Sequence, residues 1–233
     1  MRAGGEHSQP TVGLEPQASF VMIMPPGWSR LPVRDADAAL LAASIETIVD
    51  DALPSTLPRD SAEPWRAELR KRFTEATAEA REAGASAVYL PVRPVDGFSV
   101  PGSIIETEVD DDGIAPTADV VTELLRDRES DAQLITVDGA TAVRTDTTAA
   151  KVQPSGDWPE VTTRQIVYTI SVPHREGRWV VMSFSAVSAD TASRTLSDAL
   201  VLLFDAMMSS FRWVDVPGVE PGDLESRLAE IAS

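Results

Sequence analysis

Residues 178 to 213 read RWVVMSFSAVSADTASRTLSDALVLLFDAMMSSFRW, and no other stretch restricts the fold as much. Apolar residues first alternate, at Val180, Met182, Phe184 and Ala186, which is the period of a strand with one covered face. After a short polar connection the period becomes helical. On a wheel over 195 to 213, Leu196, Leu200, Leu203, Met207 and Phe211 form a main stripe. Phe204, Met208 and Val201 widen it on one flank, and Leu202 with Trp213 on the other. Only Asp198, Asp205, Ser209 and Arg212 leave a polar strip. A helix this apolar belongs on a sheet. The flank bearing Val201 and Met208 is a candidate surface for a protein partner.

The preceding segment RQIVYTISV supplies the matching arm of a hairpin, with Ile166, Tyr168, Ile170 and Val172 facing one way. A second hairpin is expected across Asp138-Gly139, a favoured two-residue turn pair. SAVYLPV and GSIIETEVD read as further strands. In the latter, Ile105, Thr107 and Val109 alternate with Ile104, Glu106 and Glu108, predicting one covered and one partly wet face. Near the start, Phe20 to Met24 is a short strand stopped by Pro25 and Pro26. Gly27 lets the chain turn, and Trp28 is expected as a lid over the core edge.

Two helices precede the sheet segments. The first carries Leu41, Ile45, Ile48, Val49 and Ala52 at helical spacing, capped by Asp35 or Asp37 and ended by Pro54. The second, about 62 to 83, carries Trp65, Leu69, Phe73, Ala76 and Ala80, with Ser61 as cap, Pro64 in its first turn and Gly84 beyond its end. A third, shorter helix lies in PTADVVTELLRDRES. This order lacks regular strand–helix alternation, so the expected class is α+β: a mostly antiparallel sheet covered by helices, an α/β/α-type sandwich. Residues 1–17 are read as a disordered lead-in and 18–213 as one domain. Residues 214–233 are read as a linker with a short amphipathic helix, whose Leu224, Leu228 and Ile231 share one face.

The chain of 233 residues is 43% hydrophobic and carries a formal charge of −17. That charge disfavours nucleic acid and anionic membrane surfaces as partners. With no cysteine, disulfides, zinc–thiolate sites and cysteine nucleophiles are excluded. No export signal or membrane span is legible, so a cytoplasmic location is expected.

Chemistry is sparse. His7 lies in the lead-in and His174 in the PHREG turn, and neither belongs to a readable Ser–His–Asp arrangement or a Gly-x-Ser-x-Gly turn. Phosphate-binding glycine loops are absent. Asp110 to Asp112 read as a solvated turn, without the spacing of a calcium loop. Glu106 and Glu108 read as a wet strand face that keeps the sheet soluble. Trp65 and Trp179 are expected to pack, while Trp28, Trp158 and Trp213 sit where a ring often borders an interface. No cofactor, metal or catalytic residue is assigned.

The early strand closing on MPPGW, the hairpin ending WVVMSFSA and the helix ending FDAMMSSFRW resemble the PsbP-like fold group. The resemblance covers about 18–28 and 178–213. That group is mostly non-catalytic, so the resemblance implies a binding scaffold and carries over no functional residue. The expected function is a non-enzymatic protein-binding module, a chaperone or adaptor. Its candidate contacts are Trp28, Val201, Met208, Trp213, Leu224, Leu228 and Ile231. The alternative is a small-ligand binder or hydrolase-like enzyme with a carboxylate- or Trp-lined cleft.

Overall fold

The computed structural model describes residues 19–53, 59–94, 100–110, 115–127, 130–151 and 161–214. Seven strands form one sheet, every neighbouring pair antiparallel, in the order β2 (Trp28–Pro32), β3 (Ala87–Pro91), β4 (Gly102–Asp110), β8 (Arg178–Ser188), β7 (Val161–Ser171), β6 (Ala140–Lys151) and β5 (Asp131–Val137). The chain is an α+β protein. Helix α4 (Thr191–Ser209) covers one face of the sheet. Helices α1 (Ala38–Ala52) and α2 (Arg59–Glu82) lie on the other face over β2 and β3, and α3 (Thr117–Arg126) lies over β5 and β6. A separate ribbon pairs β1 (Ser19–Val21) with β9 (Arg212–Val214).

The hairpins form where the alternation places them. Val137 pairs with Ala140 across Asp138-Gly139, both at positive φ (44° and 79°), the geometry that suits a two-residue hairpin turn. Ile166 lies opposite Phe184, Tyr168 opposite Met182 and Ile170 opposite Val180. These residues, with Ile104, Ala87 and Tyr89, form the floor on which α4 rests.

Helix α4 starts at Asp190, whose carboxylate accepts the Ser193 N–H at 2.7 Å while the Asp190 N–H donates to Ser193 Oγ at 3.0 Å. This reciprocal cap satisfies donors that a helix start leaves open. The helix is rolled relative to the expected stripe. Phe204, not Leu203, is central: it stacks on Phe184 at 5.2 Å and meets Tyr168 edge-on at 5.4 Å. Val201 and Met208, three or four residues away, are therefore turned onto the sheet and buried, whereas Leu196 and Leu202 are exposed. The polar strip is not purely wet either. Arg144 forks onto Asp205 with two bonds of 3.0 Å, Tyr168 Oη donates to Asp205 at 2.8 Å, and Arg164 joins Asp146 and Asp198. Burial, then the Asp205 hydrogen bond, hold the Tyr168 hydroxyl well above its ordinary pKa.

Helix α2 differs from expectation. Ser61 lies inside the helix rather than capping it, and so does Pro64. Gly84 does end it, at φ 87°, with the Ala85 N–H reaching back to the Ala80 carbonyl at 2.9 Å. Ala80 packs against Val33, Ala85 and Val88. Farther out the helix leans on α1 through Arg70–Glu46 and Arg66–Asp50, and Trp65, expected to pack, is 64% exposed. A helix stripe needs a covering surface, and near Trp65 the described residues supply little of one. Helix α1 begins with a 3-10 turn at Asp35–Asp37, and neither aspartate makes a side-chain cap.

Candidate functional site

Strands β4, β8 and β7 are covered on the α4 face and poorly covered on the other. In register across the second face run Ser103, Ser185 and Gln165; then Ile105, Ser183 and Val167; then Thr107, Val181 and Thr169. None is buried and none is charged. The row is flanked by α1–α2 on the β2–β3 side and by α3 on the β5–β6 side. Gln165 Nε2 donates to Ser183 Oγ at 2.8 Å. Short hydroxyl side chains alternating with Ile and Val make a low, uncharged floor. On the same side of the sheet, α2 presents Trp65, Leu69 and Phe73, none of them buried.

The α4 face holds the opposite kind of chemistry. Glu106, read from sequence as a wet residue, is 1% exposed. It accepts Tyr89 Oη at 2.6 Å, Ser86 Oγ at 2.9 Å and Arg30 Nη2 at 3.1 Å. Ile104 and Glu106 thus point to the covered side of β4, and Ile105 and Val109 to the exposed side, the reverse of a wet Glu106–Glu108 face. A buried carboxylate persists only when it is paired and hydrogen-bonded, and Arg30 and Tyr89 supply both from strands β2 and β3. Burial opposes the Arg30 charge, but Glu106 outweighs it, and the Arg30 pKa is raised; the Tyr89 pKa is raised by burial and by Glu106. Beside this network a cleft of about 410 Å³ opens under β1, walled by Phe20, Met22 and Met24. Glu108 at its edge is paired with Arg34.

A larger cleft, about 620 Å³, lies at one end of the sheet between the β5–β6 and β7–β8 turns. It gathers His174, Asp138, Ser171, Thr141 and Trp213. Asp138 accepts the Trp213 backbone N–H at 2.9 Å and lies 3.8 Å from Arg212. Ser171 Oγ donates to the Thr141 carbonyl at 2.9 Å. His174 is exposed and bonds to no acid or hydroxyl among the described residues. No nucleophile–base–acid chain is assembled here.

The residues proposed from sequence are therefore scattered. Val201 and Met208 are core. Trp213 is buried, stacked edge-on with Phe211 at 5.0 Å, but it also lines the larger cleft. Trp28 opens β2 opposite Pro91 and packs partly buried against the main core. Leu224, Leu228, Ile231, His7, Trp158, Asp111 and Asp112 lie outside the described residues; Asp110 pairs with Arg178. The open floor of β4, β8 and β7 went unread because short hydroxyl residues leave no sequence signature. Its one legible trace is the absence of charge from alternate positions, Ser103 to Thr107, Gln165 to Thr169 and Val181 to Ser185, in so acidic a chain.

No family model matches the chain, and no curated protein matches it. Among solved structures it is similar to LpqN, described as involved in cell envelope biogenesis of Mycobacterium tuberculosis, at 16% identity over 87% of each chain with a TM-score of 0.40. A likeness at that level assigns neither a site nor an activity. No described helix is long and apolar enough to cross a membrane.

Proposed function

We propose that this is a non-enzymatic protein-binding module whose partner seats on the open floor of β4, β8 and β7. The observation that carries this reading is the lack of charge on that floor, in a chain whose formal charge is −17. Cores of protein interfaces are depleted in charge, and the floor shares that property. Trp65 adds an exposed ring of the type that anchors interfaces. The PsbP-like resemblance, with its implied binding scaffold, agrees with this reading, as does the cytoplasmic adaptor or chaperone role expected from sequence.

The test is site-specific photo-crosslinking in the native cells, with a photoreactive residue at Ser183 on the floor or at Leu202 on the exposed back of α4. The reading expects one recurring protein captured from Ser183 and absent from Leu202. Equal capture at both positions, or none at Ser183, would contradict it.

A further inference from the structure

The sheet has two edge strands, and they are finished differently. Strand β2 is five residues long and ends in Pro32, which has no N–H to offer. Its Arg30 side chain turns inward onto Glu106, and α1 packs alongside. Short length, an edge proline and an inward charge are the devices by which sheets keep a second strand away. Strand β5, at the other edge, has none of them. It runs seven residues in unbroken register with β6, and from Ala132 to Val137 (AQLITV) it carries no proline and no charge. Leu134, at its centre, is 58% exposed, and among the described residues no strand lies along its outer side.

Which backbone groups face outward follows from the turn. Val137 and Ala140 flank a two-residue hairpin loop, so they exchange both hydrogen bonds, and the pattern alternates from there. Val137, Ile135, Gln133 and Asp131 are turned to β6. Ala132, Leu134 and Thr136 hold their N–H and C=O groups toward solvent. Those residues are evenly spaced about Leu134, which makes the edge complementary to itself. In an antiparallel pair centred on Leu134, Ala132 faces Thr136 of the other copy and Leu134 faces Leu134. Every outward N–H on either strand then meets a carbonyl. Asp131 lies opposite Val137, so no like charges face each other across the pair. We propose that β5 pairs with β5 of a second copy, joining two sheets edge to edge in a two-fold dimer. Contact through one strand is smaller than a standard interface, so a dissociation constant on the order of 100 μM is expected. The protein-binding floor of β4, β8 and β7 lies in the middle of the sheet and stays open, and neither reading rests on the other.

The experiment is sedimentation velocity of the full chain from about 5 to about 500 μM, bracketing that constant, with amide hydrogen exchange at both ends of the range. A monomer–dimer equilibrium is expected. At the higher concentration the Ala132, Leu134 and Thr136 amides should exchange about threefold more slowly, as mass action requires, while Gln133 and Ile135, bonded to β6, should be protected at both. Leu134→Lys sets like charges on the two-fold axis, and Leu134→Pro removes the central outward N–H without touching the ladder to β6. Both should stay monomeric, Leu134→Lys with the parent's unfolding. Leu202→Lys, on the exposed back of α4, should dimerise as the parent does. A parent that stays monomeric throughout, a dimer that survives either Leu134 variant, protection gained on another element in place of β5, or a dimer lost in Leu202→Lys would each overturn the proposal.

Discussion

The two faces of the central sheet are built from the same strands and solve different problems. On the α4 side, large side chains interlock and every buried charge has a partner: Phe204 between Phe184 and Tyr168, Glu106 among Arg30, Tyr89 and Ser86. On the other side, the middle strands carry Ser, Thr, Gln and short aliphatics that are neither buried nor charged. The first face is specific to itself. The second carries no charge that covering it would strip of water. If the open face seats a partner as proposed, stability and function need not compete here, because alternate residues of one strand would serve them separately.

The comparison can be broken by substitution. The largest loss is expected from Phe204→Ala, roughly 3–5 kcal/mol in denaturant unfolding, because the ring fills the centre of the α4 contact. Arg30→Met should follow at about 3 kcal/mol. It leaves Glu106 buried without its cation, at the lower end of the range for a broken buried pair because Arg30 itself is 44% exposed. Asp205→Asn removes a forked, partly exposed bond and should cost about 1–2 kcal/mol. Asp190→Ala should lower the melting temperature by about 2–4 °C through loss of the α4 cap. That cap also has a pH signature. The Ser193 N–H holds the Asp190 pKa below its ordinary value. Its contribution is therefore present at neutral pH and lost as pH falls through the depressed value, below about 4. The parent's unfolding should lose this increment in acid and Asp190→Ala should not. Smallest of all, Ile105→Glu on the open face should stay within about 1 kcal/mol of the parent.

Much of the α4 face was legible in sequence and little of the other. Period-two alternation in β7 and β8 identifies both hairpin arms and their facing residues, because a one-residue slip would invert every side chain. Asp138-Gly139 announces its turn. The roll of α4 was not readable: with apolar residues nearly all round, the wheel has no sharp minimum, and the Phe184–Tyr168 socket decides which stripe is buried. Glu106 looked wet because its partners lie 17 and 76 residues away, at Tyr89 and Arg30. Helical spacing in α2 marked Trp65 as one of a stripe but could not say whether anything covers it. The hairpin-turn cleft assembles from separate elements and has no local motif.

The central claim is that the uncharged floor serves a partner and not the fold, and Ile105→Glu tests it most directly when unfolding and capture are measured on the same preparation. The account predicts a melting temperature within a few degrees of the parent (about 2–4 °C per kcal/mol at this size) and loss of the protein that crosslinks at Ser183. A variant that melts normally and captures that protein as well as the parent does would contradict it.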